Sequence, residues 1–198
     1  ALRDGVPAPK VIDFGVAMAT HGPLTDHTRL TGQRQMIGTP HYMPPEQAEI
    51  GAADVDTRAD VYCLGVLLYE LLTGTTPFDH ERLAQVGFDE MRRIIREEEP
   101  PRPSTRLGTL AETLPAEAAR RRAEPRQLSQ LVRGELDWIV MKALEKDRTQ
   151  RYESASAFGA DVQRYLHDEP VQACPPSLGY RLRKFVHRHK GPVLAVSL

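Results

Sequence analysis

The segment from Thr57 to Gly74 constrains the fold more than any other part of this 198-residue chain. It opens with Thr57 and Asp60 at the spacing of a capping box, and Gly74 supplies a stop signal. The positions between them carry apolar residues on almost every helical face: Val61, Leu64, Val66, Leu67, Leu68, Tyr69, Leu71 and Leu72. Because such a helix must be surrounded by protein, the segment predicts a buried helix at the centre of the domain.

Three further helices are predicted from the same spacing rules. The first runs from about Phe88 to Glu98 and ends before a cluster of prolines. The other two are marked by apolar faces, Leu136, Ile139, Val140, Ala143 and Leu144 in one, and Ala155, Phe158, Val162, Tyr165 and Leu166 in the other. Residues 104–132, rich in Ala, Arg and Pro, predict a solvated insert that could be helical.

The start of the chain has a different character. Asp4-Gly5 predicts a hairpin turn, and Val11-Ile12 predicts a short strand that runs into a loop. From Val16 to Pro45 no periodicity is sustained, and a loop of about 30 residues is uncommon in a compact domain unless it is functional. The predicted fold class is therefore mainly α, with a short β element at the N-terminus.

Composition excludes several classes of protein. Hydrophobic residues make up 40% of the chain, and 26 basic residues almost balance 27 acidic ones, which excludes wholesale disorder, a collagen-like repeat and a multi-span membrane protein. The two cysteines, Cys63 and Cys174, are far apart and form no CxxC pair. This argues against a disulfide scaffold or a zinc site and favours a reducing compartment.

Short motifs occur in a fixed order along the chain: Asp13-Phe14-Gly15, Gly38-Thr39-Pro40, Pro44-Pro45-Glu46, the run Asp60 to Gly65, and Arg151. In that order and spacing they resemble the C-terminal lobe of a protein kinase of the bacterial serine/threonine type, from Asp13 to about Leu166. The resemblance implies a kinase lobe fragment at residues 1–168 with its activation segment at 13–46. It also implies that the N-terminal lobe is missing from these residues.

The resemblance implies that ATP and Mg²⁺ are the cofactors. Asp13 matches the carboxylate that binds Mg²⁺, Gly15 allows the sharp turn after it, and Phe14 packs inward, so the three form the expected cofactor-binding motif.

The expected partner is a protein substrate with a Ser or Thr acceptor. Gly38, Thr39 and Pro40 resemble the substrate-binding turn, in which Thr39 bonds the catalytic loop. The candidate phosphorylation sites of the activation segment are Thr25, Thr28 and Thr31, because a phosphate there could pair with Arg side chains.

Three residues are expected to be structural. Glu46 resembles the Glu that closes the activation segment, and Arg151 matches the distant Arg that pairs with it. Asp60 matches the Asp that holds the backbone amides of the catalytic loop. It also fits a second role, as the acid of the capping box of its own helix.

The catalytic-loop Asp and Asn, the glycine-rich phosphate loop and the ATP lysine of a kinase are not found in the chain. Leu2-Arg3-Asp4 is rejected as a catalytic loop because Pro9 stands where the Asn belongs, and Lys10 lies on the wrong strand. The isolated chain is therefore predicted to be inactive. The alternative function is a noncatalytic, pseudokinase-like docking module.

The C-terminal part of the chain is basic. Residues 181–198 contain five basic and no acidic residues and end in the apolar run from Val193 to Leu198. The prediction is a basic juxtamembrane linker at 169–190 and the start of a transmembrane helix at 191–198, on the cytoplasmic side of a single-pass plasma-membrane protein. A solvated terminal helix is the alternative. Nucleic-acid binding is not expected, since the body of the chain is acidic.

Overall fold

The computed structural model describes residues 2–3, 6–7, 40–49, 56–109, 125–176, 179–180 and 184. The chain divides into two units, Ala1–Pro40 and His41–Leu198. In the described ranges the elements are strands β1 (Leu2–Arg3) and β2 (Val6–Pro7), helices α1 (Arg58–Thr73), α2 (His80–Gln85), α3 (Phe88–Glu97), α4 (Pro103–Thr109), α5 (Pro125–Val132), α6 (Glu135–Ala143) and α7 (Ala155–Leu166), and 3-10 turns η1 (Pro40–Tyr42), η2 (Pro45–Ala48) and η3 (Arg148–Gln150). The mainly α prediction is confirmed.

The two short strands of the first unit form an antiparallel pair in which Arg3 lies opposite Val6. This register leaves two residues, Asp4 and Gly5, between the strands, which is the spacing of the predicted hairpin. The strand predicted at Val11-Ile12 lies outside the described residues.

Helix α1 is the centre of the second unit, and α4, α6 and α7 all pack against it. It ends where predicted, with Gly74 in the left-handed conformation at φ 82°. The predicted capping box is wrong: the Thr57 side chain makes no capping bond, and the Asp56 carboxylate accepts from the Arg58 backbone N–H instead, at 2.7 Å. Asp56 precedes Thr57 in the chain, and its carboxylate reaches the unpaired backbone N–H of Arg58, the first residue of the helix.

The helix is not buried on every side. Val61, Val66 and Tyr69 are fully buried, but Leu67 and Leu71 are 43% and 61% exposed. The helices that pack on α1 cover the faces of its buried residues, so the prediction of burial all round is wrong for the face that carries these two leucines.

Helices α1 and α6 pack closely at Gly65. A Cβ placed on Gly65 would lie 2.8 Å from the Cβ of Ala143, inside normal contact distance. Glycine at position 65 therefore lets the two helix backbones meet, and this contact fixes α6 on the central helix.

Helices α4 and α5 show that the described parts of 104–132 are helical, as the prediction allowed, but they correct the prediction that this stretch is solvated. Leu107, Leu128 and Val132 are buried and form one apolar cluster with Leu136 of α6. Helix α4 is also attached to α6 by Asp137, whose carboxylate accepts from the Ser104 backbone N–H at 2.9 Å and from its hydroxyl at 2.7 Å. The charged composition of this stretch concealed apolar positions that are separated in sequence but adjacent in space.

Helices α3, α6 and α7 lie where they were predicted, with one error in the faces. The apolar positions of α6 are buried as expected. In α7, Phe158 is buried, but Ala155 and Leu166 are exposed and the residue with no exposure is Asp161. Its carboxylate is satisfied by the Tyr152 hydroxyl and by two backbone N–H groups beyond the end of the helix.

Candidate functional site

The described residues contain part of the predicted site. Glu46, Asp60, Arg151 and Pro40 are described; the predicted residues that lie outside the described ranges are Asp13, Phe14, Gly15, Thr25, Thr28, Thr31, Gly38 and Thr39. Their proposed roles stay predictions.

Glu46 and Arg151 are brought together as a two-armed ion pair. Arg151 Nη1 donates to Glu46 Oε1 at 2.8 Å, and Nη2 donates to Oε2 at 2.7 Å. The Arg151 side chain is 0% exposed and that of Glu46 is 14% exposed. Such parallel bonds between a guanidinium and a carboxylate combine charge with a fixed geometry.

The remaining donors of Arg151 are also bonded. Its Nε donates to the carbonyl of Glu145 at 2.7 Å, and the two Nη groups donate in addition to the carbonyls of Arg58 at 3.1 Å and Lys146 at 3.2 Å. The guanidinium has five N–H groups, so every one has an acceptor. The buried cation thus connects η2, the start of α1 and the loop after α6.

Local structure explains why Arg151 points inward. It follows η3, whose first turn is capped by Asp147: this carboxylate accepts from the Thr149 backbone N–H and hydroxyl, each at 2.8 Å. The aromatic ring of Tyr62, on α1, lies 5.0 Å from the centre of the guanidinium and covers one of its faces.

The chain from His41 to Glu49 has further contacts with the helices. The Tyr42 hydroxyl donates to the Glu70 carboxylate, and the Tyr42 carbonyl accepts from the Cys63 thiol at 3.3 Å. At the other end, Arg92 of α3 donates to the carbonyl of Ala48. Sequence reasoning missed Tyr42, Glu70 and Arg92, because nothing in their spacing relates positions so far apart in the chain.

Burial dominates the acid–base properties of these contacts. It raises the pKa of Tyr42 to about 12, with the hydrogen bond to Glu70 adding to the effect. It also raises the pKa of the Cys63 thiol to about 11. A thiol with so high a pKa is a poor nucleophile, so Cys63 is a packing residue here.

Asp60 lies exposed in the first turn of α1. The catalytic loop it is predicted to hold is not part of the chain, so this role stays a prediction. Its second predicted role, as the acid of a capping box, is not observed, because Thr57 does not cap the helix.

The second unit contains a cavity of about 430 Å³. Its lining consists of His41, Glu70, Thr75, Thr76, Asp79, His80 and Glu81. The rings of His41 and His80 meet edge to face with centroids 4.3 Å apart. Burial lowers the pKa of His41, repulsion from His80 lowers it further, and Glu70 opposes both. His41 is therefore expected to be largely neutral at pH 7.

No group of three or more His, Cys, Asp or Glu side chains in the described ranges is arranged to hold a metal ion. The predicted Mg²⁺ ligand, Asp13, is outside those ranges.

Comparison with known proteins gives a consistent result. The sequence profile of the protein kinase domain matches residues 2–161. Serine/threonine-protein kinase PknB of Mycobacterium leprae is 34% identical over 166 residues, which are 84% of this chain and 21% of PknB. PknB of Mycolicibacterium smegmatis is 36% identical over 172 residues, 86% of this chain and 22% of that protein.

A relative from another bacterial group is equally similar. Serine/threonine-protein kinase pkn3 of Myxococcus xanthus is 35% identical over 154 residues, 78% of this chain and 23% of pkn3. The chain thus spans about a fifth of the length of these relatives. The profile covers most of the chain, the relatives are 34–36% identical over the aligned residues, and the predicted Glu46–Arg151 partners are in contact. The chain therefore belongs to the protein kinase family and is similar to its bacterial serine/threonine members.

Proposed function

We propose that this chain is the substrate-binding helical lobe of a kinase that transfers the γ-phosphate of ATP to Ser and Thr hydroxyls of proteins. The observation that carries the proposal is the buried ion pair of Glu46 and Arg151. It holds Glu46, the last residue of the predicted activation segment, against the helical body.

The substrate turn is followed directly by residues with defined contacts. Gly38-Thr39-Pro40 leads into Tyr42, which is bonded to Glu70 and Cys63 on α1. We infer that this attachment sets the distance between a bound peptide and the catalytic loop, and that the Thr39 hydroxyl orients the acceptor. Positioning is a large part of the catalysis of phosphoryl transfer, since the protein has little covalent chemistry to do.

Asp13 is the proposed ligand of Mg²⁺, with Phe14 and Gly15 setting its position. When bound with ATP, Mg²⁺ neutralises the charge that develops on the phosphate oxygens. The contribution of the chain is one carboxylate oxygen donor of the kind that a hard cation prefers.

The general base, its neighbouring Asn and the ATP lysine are not among the 198 residues, so we propose that the chain alone does not transfer phosphate. Phosphorylation at Thr25, Thr28 or Thr31 is proposed to order the activation segment.

The basic C-terminal segment, from 169 to 190, is proposed to lead to a membrane anchor, which would place the lobe at the cytoplasmic face of the plasma membrane. In the described ranges, none of the helices has the length and apolar character needed to span a bilayer.

The proposal is tested in the protein encoded by the complete gene, with labelled ATP, Mg²⁺ and a generic Ser/Thr protein substrate. Asp13→Asn removes the charge of the proposed metal ligand and should lower the transfer rate by about a hundredfold or more. Asp89→Asn, an exposed acid on α3, is the matched control and should leave the rate unchanged. Equal rates for the two variants, with equal melting temperatures, would exclude the role of Asp13.

A further inference from the structure

The described part of the segment after α7 lies against the lobe. Asp161 Oδ1 accepts from the backbone N–H of Gln172 at 2.6 Å, and Oδ2 accepts from that of Ala173 at 2.9 Å. Val171 is buried, and its backbone N–H donates to the Tyr180 hydroxyl at 3.1 Å. Val171, Gln172 and Ala173 are therefore bonded to α7 or to Tyr180, and all four residues lie beyond residue 161, where the match to the kinase profile ends.

Tyr180 completes this contact on the apolar side. It is buried and belongs with Val171 to the cluster formed by Val61 and Ile139 of the lobe. Its ring meets that of Trp138 edge to face, with centroids 5.4 Å apart and planes at 88°. An aromatic pair of this geometry adds to the area buried. Val171 and Tyr180 are thus part of the hydrophobic core of the lobe.

Lys184 supplies the polar side of the contact. Its Nζ lies 2.6 Å from Asp168 Oδ1 and 3.0 Å from Glu135 Oε1, and its side chain is only 10% exposed. Among the described residues, Glu135 Oε2 is buried with no hydrogen-bond partner. One cation therefore serves two carboxylates, and its removal would leave Glu135, whose side chain is only 15% exposed, without this counterion.

The protonation of Lys184 agrees with this geometry. Burial lowers its pKa, but the hydrogen bonds to Asp168 and Glu135 outweigh burial, so the pKa lies above its ordinary value. The amine is charged at any physiological pH, and the contact is a permanent ion pair.

We propose that the described residues after α7, 169–176, 179–180 and Lys184, form a strap, a fixed part of the folded lobe that is latched by Lys184 between Glu135 and Asp168. The strap extends the folded unit past the end of α7 and sets the position from which any later segment leaves the lobe. While the strap is latched, the charge of Lys184 is paired with the carboxylates of Glu135 and Asp168. Opening the latch releases the strap as a unit and exposes the Trp138 face of α6. The proposal does not depend on phosphate transfer by the chain.

Trp138 is the single tryptophan of the chain, so its fluorescence emission reports directly on the strap. In the full 198-residue chain, Lys184→Met keeps most of the side-chain volume and removes the charge. We expect its Trp138 emission to shift to longer wavelength. We also expect tryptic cleavage after Arg181 and Arg183, followed by mass spectrometry, to become about tenfold faster, because a hydrogen-bonded charge that held the strap is lost.

Two variants make the test specific. Lys184→Arg keeps the charge, and the cavity of about 440 Å³ lined by Lys184, Glu135 and Tyr165 has room for the larger head group, so it should behave as the wild type. Arg82→Met removes a cation from an exposed ion pair with Glu98 and should change neither the emission nor the cleavage.

The strap is excluded if Lys184→Met shows wild-type emission and cleavage, or if Lys184→Arg shows the same changes as Lys184→Met. Tyr180→Phe provides a milder second variant, in which the Val171 N–H loses its acceptor, and it should give a smaller shift in the same direction. If Lys184→Met lost the helical circular-dichroism signal altogether, wild-type emission and cleavage in Tyr180→Phe would equally overturn the proposal.

Discussion

Arg151 and Glu46, 105 positions apart in the chain, form a two-armed ion pair in which the arginine side chain has no exposed surface. The pair joins the end of the predicted activation segment to the loop after α6. All five N–H groups of the guanidinium are bonded, so its burial leaves no donor unsatisfied.

We predict that Glu46→Ala lowers the free energy of unfolding by about 3–5 kcal/mol, because it leaves the buried Arg151 charge without its counterion. Glu98→Ala is a matched control: Glu98 forms the same two-armed bond with Arg82, at 2.9 and 2.8 Å, but the side chains are 29% and 51% exposed. An exposed pair contributes little, so this variant should be nearly as stable as the wild type. Urea denaturation followed by circular dichroism measures both, and equal midpoints for the two variants would contradict the account.

Gly65 gives a second prediction, on packing. Gly65→Ala places a methyl group 2.8 Å from the Ala143 Cβ and forces α1 and α6 apart, so it should lower the melting temperature and cost about 1–3 kcal/mol. Gly159→Ala, in α7, is the control. A Cβ there meets no atom within 4 Å, and alanine should stabilise the helix by about 0.5–1 kcal/mol. Opposite shifts in melting temperature are expected; a gain of stability in Gly65→Ala would show that the helices do not meet at this point.

The third prediction concerns pH. Burial lowers the pKa of the Lys146 amine, which donates to the Ile95 carbonyl at 2.6 Å, from 10.5 to about 8. Between these two values the unfolded chain holds more protons than the folded one, so the contribution of Lys146 to the free energy of unfolding rises with pH across this window.

Lys146→Met should remove that rise. The measurement is the free energy of unfolding at several pH values from 7 to 11 for the wild type and the variant. The difference between them isolates Lys146, because opposing groups such as Cys63 titrate in both proteins. We expect wild type minus variant to increase from about pH 8 to about pH 10.5. A difference that stays flat or falls over this range would mean that Lys146 is not desolvated in the folded state.

Much of the fold could be predicted because its signals are local. The end of α1 at Gly74 and the positions of α3 and α6 follow from helical spacing and from residues that stop helices. The family could be recognised because its motifs keep their order over most of the chain. The ion pair of Glu46 and Arg151 could be anticipated only through that resemblance, since nothing in the sequence relates two residues so far apart.

The errors arose where a residue is satisfied by distant parts of the chain. Asp161 has the pattern of a solvent-facing helical residue, but backbone N–H groups of Gln172 and Ala173 and the hydroxyl of Tyr152 surround it. Leu107 and Leu128 are separated by a charged stretch and meet only in the folded protein. Lys184 lies between two carboxylates, a pairing that its place in a basic segment does not reveal; the juxtamembrane linker at 169–190 stays a prediction. Tertiary contacts of this kind leave no periodic signal.

The chain belongs to the protein kinase family, and we propose that it carries the metal carboxylate and the substrate turn of a kinase lobe but not the general base or the ATP lysine. The most direct test is transfer of labelled phosphate from ATP to a Ser/Thr protein substrate in the presence of Mg²⁺. It is measured for the purified 198-residue chain and for the complete protein encoded by its gene. We predict no transfer by the chain alone and transfer by the complete protein. Turnover by the chain alone, or an inactive complete protein that binds protein partners instead, would contradict the account.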